Sequence, residues 1–436
     1  MSISKECYSS LSLKLDRLMV YRDLLNDPIV ASIKRLVCAI SSEAEINEIN
    51  KLYYEYSFNL LKQSETLGLK GKLHKAYTIN LLITSKNFFS LTCEKYGKNI
   101  GSSLYNIAIN DLEIIKAFMD LNFDDIRELL SAPNLLNDYS PTSSAVNLKE
   151  YDTYKEELLQ VDTVQALADK VINYYFKFGS GEIANHIAFR WNDKNGLIGV
   201  KNYDPIQFDD IVGYQYQKET LINNTEAFIK GHQANNVLLV GARGTGKSSS
   251  IKALINRYHS EGLRLLEITK TQLLSLPEIL DELKQRGKKF ILFIDDLSFE
   301  EGEIEYKQMK SILDGGIEQT PDNVLIYATS NRRHLIKETW ADRAKNATAE
   351  EIHESDTVNE KLSLSDRFGI TLTFITPNQN EYLAMVERIA EKHNLNIPAD
   401  TLRQEAIKWE LSQKGRSGRT AKQFVNYLSN LQDLKD

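Results

Sequence analysis

Residues 237–258 read Val-Leu-Leu-Val-Gly-Ala-Arg-Gly-Thr-Gly-Lys-Ser-Ser-Ser-Ile-Lys-Ala-Leu-Ile-Asn-Arg-Tyr. Gly241, Ala242, Arg243, Gly244, Thr245, Gly246, Lys247 and Ser248 match G-x-x-x-x-G-K-[ST] in full. A short apolar β-type run precedes the match, and a helical pattern opens at Ser249. A strand, a glycine-rich turn and a helix N-terminus make an anion site, because successive backbone N–H groups turn inward and the helix dipole adds to their field. Lys247 is placed to reach β- and γ-phosphates, and the Ser248 hydroxyl to meet Mg²⁺. The stretch therefore predicts binding of a nucleoside triphosphate, ATP with Mg²⁺, in the cradle Gly241–Ser249.

The chain has 436 residues, enough for two or three domains with their own cores. Hydrophobic residues make 42% and charged residues 26% of it, the balance of a globular protein. No apolar run reaches the ~20 residues of a membrane span. The opening MSISKECYSSLSLKLDRL lacks the apolar segment of a signal peptide, which predicts a cytoplasmic protein. Cys7, Cys38 and Cys93 are far apart, without metal-ligand spacing, and read as buried or idle thiols. Net charge is −7. Residues 1–200 carry 22 basic and 25 acidic side chains, and the remainder 31 and 35. Neither part has the basic excess of a general nucleic-acid binder, so nucleic acid is a disfavoured partner.

Residues 10–130 place apolar side chains at helical spacing, with frequent Tyr and Phe that read as helix–helix contacts. SAPNLLNDYSPTSSAVN, 131–147, reads as a loop, and helical pattern resumes from Tyr151 to Lys177. His186 reads as a structural histidine, and 192–207 as an interdomain connector. From residue 208 strands alternate with helices: Val237–Val240, Leu263–Thr269, Phe290–Ile294, Val324–Thr329 and Ile370–Phe374. That order predicts an α/β fold with a parallel sheet flanked by helices. After Pro377 the pattern is helical to the end. The expected domains are a mainly helical 1–200, an α/β core at 208–376 and a helical lid at 377–436.

KKFILFIDD, 288–296, is an apolar strand ending in two carboxylates. Asp295 at its carboxyl end is placed to hold Mg²⁺, and Asp296 to polarise an attacking water, with Glu300 or Glu301 in reserve. A helix N-cap is the competing role for such a pair. VLIYATSN, 324–331, is a second apolar strand ending in polar residues. In a doubly wound sheet strand ends converge on the ligand, which puts Asn331 near the γ-phosphate and its water; a turn asparagine is the alternative.

The α/β core followed by a small helical lid resembles an AAA+ ATPase over residues 208–436. Within that resemblance Asn331 stands at sensor 1. LSLSDRFGI, 362–370, resembles the box whose arginine reaches the neighbouring subunit's nucleotide, which would be Arg367; a surface ion pair is the plainer reading. GRSGRTAKQF, 415–424, puts Arg419 at sensor 2, with Arg416 as competitor. FDDIVGYQYQKETL, 208–221, resembles the segment that packs Ile211, Val212 and Gly213 around adenine. Most AAA+ proteins carry Glu where Asp296 stands, and the shorter side chain alters the catalytic distance. The runs GSGEIANHIAFRW, FILFIDDLSFE, NVLIYATSNRRHLI and SGRTAKQF further resemble an uncharacterised bacterial family of predicted AAA+ ATP-binding proteins, named as a domain of unknown function and reaching back to about residue 170.

The resemblance implies a homo-oligomer, a hexamer by family pattern, that hydrolyses ATP to remodel a protein client selected by the N-terminal domain. Two alternatives stand beside it. One is a DNA-associated loader or initiator, because IDDLSF resembles the equivalent run of bacterial replication initiators. The other is a nucleotide-dependent switch with little turnover, supported by Asp296. Arg243, Arg332 and Arg333 add positive charge near the nucleotide or a subunit boundary, and the polar stretch 340–361 reads as a loop between sensor 1 and the Arg367 helix.

Overall fold

A computed structural model describes residues 5–142, 149–300, 303–314, 320–332, 335, 364–413 and 415–433. Glu301, Arg333 and the stretch 340–361 lie outside the described residues, as does the side chain of Cys7. The chain divides into two compact units, Met1–His186 and Ile187–Asp436.

The first unit is helical: α1 (Lys5–Leu15), α2 (Pro28–Ser41), α3 (Ile46–Leu67), α4 (Leu73–Thr84), α5 (Phe88–Tyr96), α6 (Ser102–Met119), α7 (Asp124–Leu129), α8 (Lys149–Leu159) and α9 (Val164–Phe178). Many of its tyrosines are core residues; Tyr21, Tyr56, Tyr174 and Tyr175 are fully buried, while Tyr54 and Tyr96 are exposed. Burial of so many ring hydroxyls and of irregular backbone requires polar partners inside. Asp27 caps α2 through Ile29 N (2.9 Å) and Val30 N (3.0 Å), and its second oxygen accepts from the Tyr77 hydroxyl at 2.8 Å. Asp111, buried on α6, accepts the N–H groups of Met19, Val20 and Tyr21 through one oxygen at 2.9, 2.7 and 3.0 Å. The turn after α1 is thus held from a residue ninety positions away as well as by its own local bonds. His186 bends back on the Glu182 carbonyl at 3.1 Å, in keeping with a structural role.

The second unit is built on a seven-stranded sheet: β1 (Ala188–Asn192), β2 (Gly196–Gly199), β3 (Val237–Gly241), β4 (Leu263–Ile268), β5 (Lys289–Ile294), β6 (Val324–Ser330) and β7 (Ile370–Phe374), in the order β2-β1-β4-β5-β6-β3-β7. Every pairing is parallel except β1 with β2. The strands from β3 to β6 are buried on both faces, as parallel strands under helices must be. Alternate side chains, among them Leu239, Leu265, Ile291, Phe293 and Phe374, pack with Leu221 and Phe228 of α10 (Gln215–Ile229) and Ile251, Leu254 and Tyr258 of α11 (Lys247–Tyr258). Two further helices, α12 (Leu276–Lys284) and α13 (Ile304–Leu313), fall between strands, and α12 touches β6. The chain closes in a three-helix cluster of α14 (Gln379–Lys392), α15 (Ala399–Ser412) and α16 (Gly418–Asp433), cored by Tyr382, Val386, Ala406, Phe424 and Val425. A mostly parallel α/β core is thus followed by a C-terminal helical cluster, the lid.

The five expected strands are present. The stretch expected to be a connector, 192–207, instead begins inside a β-hairpin: Asn192 pairs with Gly196, and Ala188 pairs in parallel with Leu265 of β4. The hairpin extends the sheet at its β4 edge. Asn195-Gly196 is a tight-turn signal, and Gly196 has φ 71°, so the turn chemistry was there to be read.

His74 yields a test of the helical unit. Its Nε2–H donates to the Phe118 carbonyl at 2.6 Å and its Nδ1 accepts from the Tyr56 hydroxyl at 3.2 Å. Burial holds its pKa down to about 4, against the opposing pull of the Phe118 carbonyl and Asp120. The neutral ring is therefore the native form, and between pH 6.5 and 4 the unfolded chain binds the extra proton, so stability falls with pH in that window. We expect a loss of about 2–3 kcal/mol across it. All three tryptophans, Trp191, Trp340 and Trp409, lie beyond residue 186. A urea transition in far-UV circular dichroism that shifts with pH while tryptophan fluorescence does not, and that stops shifting in His74→Asn, is the expected result.

Candidate nucleotide site

The candidate site is assembled at the carboxyl ends of β3, β5 and β6. β3 lies between β6 and β7 and stops where the glycines start. Gly241 has φ 149°, and a Cβ there would stand 2.1 Å from the Phe374 carbonyl oxygen, so the exit from β3 tolerates no side chain. Gly244 and Gly246 have φ 78° and 93°, which turn the loop onto the N-terminus of α11. Thr245 Oγ1 donates to the Ala242 carbonyl at 2.9 Å and closes the loop on itself.

Lys247 is buried, with its ammonium on the carbonyls of Gly241 and Ala242 at 2.8 Å each and on Asn331 Oδ1 at 3.1 Å. Burial lowers its pKa, and Asp295 and Asp296 pull it back up. Ser248 Oγ donates to Asp295 Oδ1 at 2.7 Å. Thr329 Oγ1 donates to the same oxygen at 2.5 Å and accepts the Asp296 N–H at 3.0 Å. Asn331 Nδ2 donates to Asp296 Oδ1 at 2.5 Å, and Arg243 lies 3.6 Å from Asp296 Oδ2. Asp296 is a non-glycine residue at φ 53°, a left-handed conformation that its surroundings must impose. A hydroxyl and a carboxylate side by side are hard oxygen donors, so Ser248 and Asp295 fit a Mg²⁺ ion with part of its water shell.

The flanking segments close on the loop. Ile211 is buried, and its Cγ2 is 3.2 Å from where a Cβ on Gly246 would lie. Val212 and Tyr214 pack against the lid cluster, with Gly213 between them at φ 82°. From the lid, Ser417 Oγ and Arg419 Cβ stand 2.8 and 3.1 Å from a Cβ position on Gly244. Arg416 is engaged elsewhere, on Glu410 at 2.6 Å. Arg367 is ion-paired within its own chain to Asp314, which follows α13. Thr329, Asp314 and Ser417 were not singled out from sequence. Thr329 carries a signal, as a polar residue ending an apolar strand; Asp314 and Ser417 carry none without the fold.

Residues 184–432 match the family described as Protein of unknown function (DUF815). The chain belongs to that family. A 66-residue stretch is 35% identical to the replication factor C large subunit of Methanococcus vannielii, covering 15% of this chain and 13% of that protein. The corresponding protein of Methanococcus maripaludis is 33% identical over 66 residues, 15% of this chain and 14% of its own length. The chain thus spans about an eighth of the curated relatives it matches. Among solved structures, the Thermotoga maritima RuvB Holliday junction branch migration motor superposes with TM-score 0.37 at 18% identity, over 53% of this chain and 67% of that one.

Thr329 offers a clean perturbation. Thr329→Val keeps the strand but strands the Asp296 N–H and frees Asp295. The expected loss is roughly 10–100-fold in Mg²⁺-dependent nucleotide affinity, the range for partners of metal ligands, approaching that of Asp295→Asn. Binding measured in EDTA should be equal in wild type and both variants.

Proposed function

We propose that the chain is an ATPase, that Mg²⁺–ATP sits on Gly241–Ser249, and that turnover drives remodelling of a protein client. The observation that carries this reading is the joint placement of Ser248 on Asp295 and of Asn331 between Lys247 and Asp296. In it Lys247 binds the β- and γ-phosphates, Ile211, Val212 and Gly213 pack on adenine, and Arg419 approaches the γ-phosphate from the lid. Mg²⁺, held by Ser248 and Asp295, supplies charge neutralisation on the phosphates. Asp296 takes a proton from water as the water oxygen attacks the γ-phosphorus, with Asn331 orienting both. The bond from γ-phosphorus to the bridging oxygen breaks, ADP leaves with its electron pair, and phosphate follows. The helical unit, which ends at His186 and not at the expected residue 200, selects the client; the sheet unit up to residue 376 is the motor and 377–436 the lid. The setting is the cytoplasm; among the described residues no helix is long and apolar enough to cross a membrane.

Lys247→Ala should fold and lose ATP binding or hydrolysis, measured by calorimetry and phosphate release. Asp296→Asn should bind ATP and turn it over slowly. If Asp296→Asn hydrolyses normally and Glu300→Gln does not, the base is Glu300.

In this reading Arg367 completes the neighbour's site, so its pair with Asp314 opens on assembly into a ring, six-membered by family pattern. Arg367→Ala should keep ATP binding and lose roughly 10³-fold in turnover. Mixing it with Lys247→Ala should restore activity, because an intact loop then meets an intact arginine across an interface. A protein monomeric by light scattering with ATP, at full specific activity, overturns the ring.

A DNA-linked ATPase is the second reading, favoured by the stretch shared with replication factor C large subunits and opposed by the net charge of −7. DNA that raises turnover several-fold supports it; DNA without effect leaves the protein-client reading.

A further inference from the structure

The third residue of the phosphate loop is free in the motif, and here it is an arginine. The Arg243 side chain is 76% exposed, yet its guanidinium stands 3.6 Å from Asp296 Oδ2. A surface ion pair of that length contributes little to stability, so its meaning lies in where it stands. The other Asp296 oxygen is held by Asn331, and the strained Asp296 backbone is held by Thr329. The carboxylate is therefore met on both oxygens and its backbone on a third side, and Arg243 is the contact that comes from the phosphate loop itself. The loop is pinned on its far side too, because Gly244, the next residue, lies against Ser417 and Arg419 of the lid. A guanidinium has two donor edges, so it can hold a carboxylate with one and a phosphate oxygen with the other; an ammonium is a single point of charge.

We propose that Arg243 is a positioning residue that ties Asp296 to the terminal phosphate within one subunit. This rests on the ATPase reading of the site. ATP and ADP are then discriminated by the chain's own loop, through a group that only the third phosphate reaches. Part of the charge developing on that phosphate is also met without a neighbour.

The test uses the full chain and four variants: Arg243→Ala, Arg243→Lys, Asp296→Asn and Arg243→Ala/Asp296→Asn. Affinities for ATP and for ADP are measured by calorimetry, and kcat and KM by phosphate release. Arg243→Ala should weaken ATP roughly tenfold and leave ADP within about twofold, the loss of one charge-assisted contact. Its kcat should fall roughly 10²-fold, and Arg243→Lys should recover only a minor part. The double variant should be no slower than Asp296→Asn alone, because residues that act as a unit are not additive. An unchanged ATP-to-ADP ratio in Arg243→Ala, full recovery in Arg243→Lys, or losses that add in the double variant each overturn the proposal. Wild-type protein that binds no ATP, or Lys247→Ala that binds it normally, overturns the ATPase reading and this inference together. Loss of binding in Lys247→Ala with a neutral Arg243→Ala overturns this inference alone.

Discussion

Parallel pairing of β3 between β6 and β7 is the constraint on which the site depends. Leu239 is in register with Thr329 on one side and with Leu372 on the other, and Gly241 is in register with Phe374. The register brings the end of β6 beside the start of the glycine loop, so that Thr329 and Asn331 face Asp295, Asp296 and Lys247. A slip of one residue would turn Thr329 to the opposite face and leave Asp295 with Ser248 alone. The same pairing forces the absence of a side chain at Gly241, because the β7 carbonyl already occupies that volume. Apolar burial on both faces stabilises the sheet; the register decides what the sheet presents at its edge.

Strands β3 to β6 were readable because parallel strands under two helical layers are continuous apolar runs, and FILFI and VLLV have no other comfortable place. The hairpin at 188–199 escaped because β2 has four residues, two of them glycine, and β1 carries Arg190 and Asn192. What fixes β1 is its pairing with β4, a contact across more than seventy residues that no local pattern announces. Arg264 shows the converse: a charged residue near the start of β4 is buried, with its guanidinium on the His259 and Leu263 carbonyls. In the helical unit, periodicity identified the helices and read the tyrosines as core or helix–helix contacts, which Tyr54 and Tyr96, both exposed, do not follow. It could not show that Asp111 holds the turn after α1, since that bond depends on the fold being complete.

The same division runs through the site. Lys247, Ser248, Asp295 and Asn331 belong to local motifs, and their mutual bonds follow once the register is set. Arg419 was preferred to Arg416 from the resemblance alone, because both lie in one glycine-flanked run. The fold separates them: Arg416 is taken by Glu410, and Arg419 stands over Gly244. Arg367 is the harder case. A cation before the last strand fits both a trans-acting arginine and a plain ion pair, and its contact with Asp314 is what either would show in one subunit taken alone.

Charge balance explains why the loop carries an arginine at all. Asp295 and Asp296 are adjacent at the end of β5, and two neighbouring carboxylates repel each other and a triphosphate alike. A chain that binds the triphosphate there needs compensating cations beyond Lys247, whose side chain is buried and has lost solvation in the site. Arg243 and Arg419 stand within electrostatic reach of that ammonium, one from the loop and one from the lid. Arg243 lies between Gly241 and Gly244, in the turn that Thr245 closes on the Ala242 carbonyl, so its charge comes from the loop and not from the lid. Arg419 arrives with a separate helical cluster that touches the loop through Gly244, and the Ile211–Tyr214 segment touches both loop and lid. Under the proposed reading the loop arginine is the constant part of the phosphate's environment and the lid arginine the variable part. A movement of the lid would then change the charge at the γ-phosphate without disturbing the orientation of Asp296.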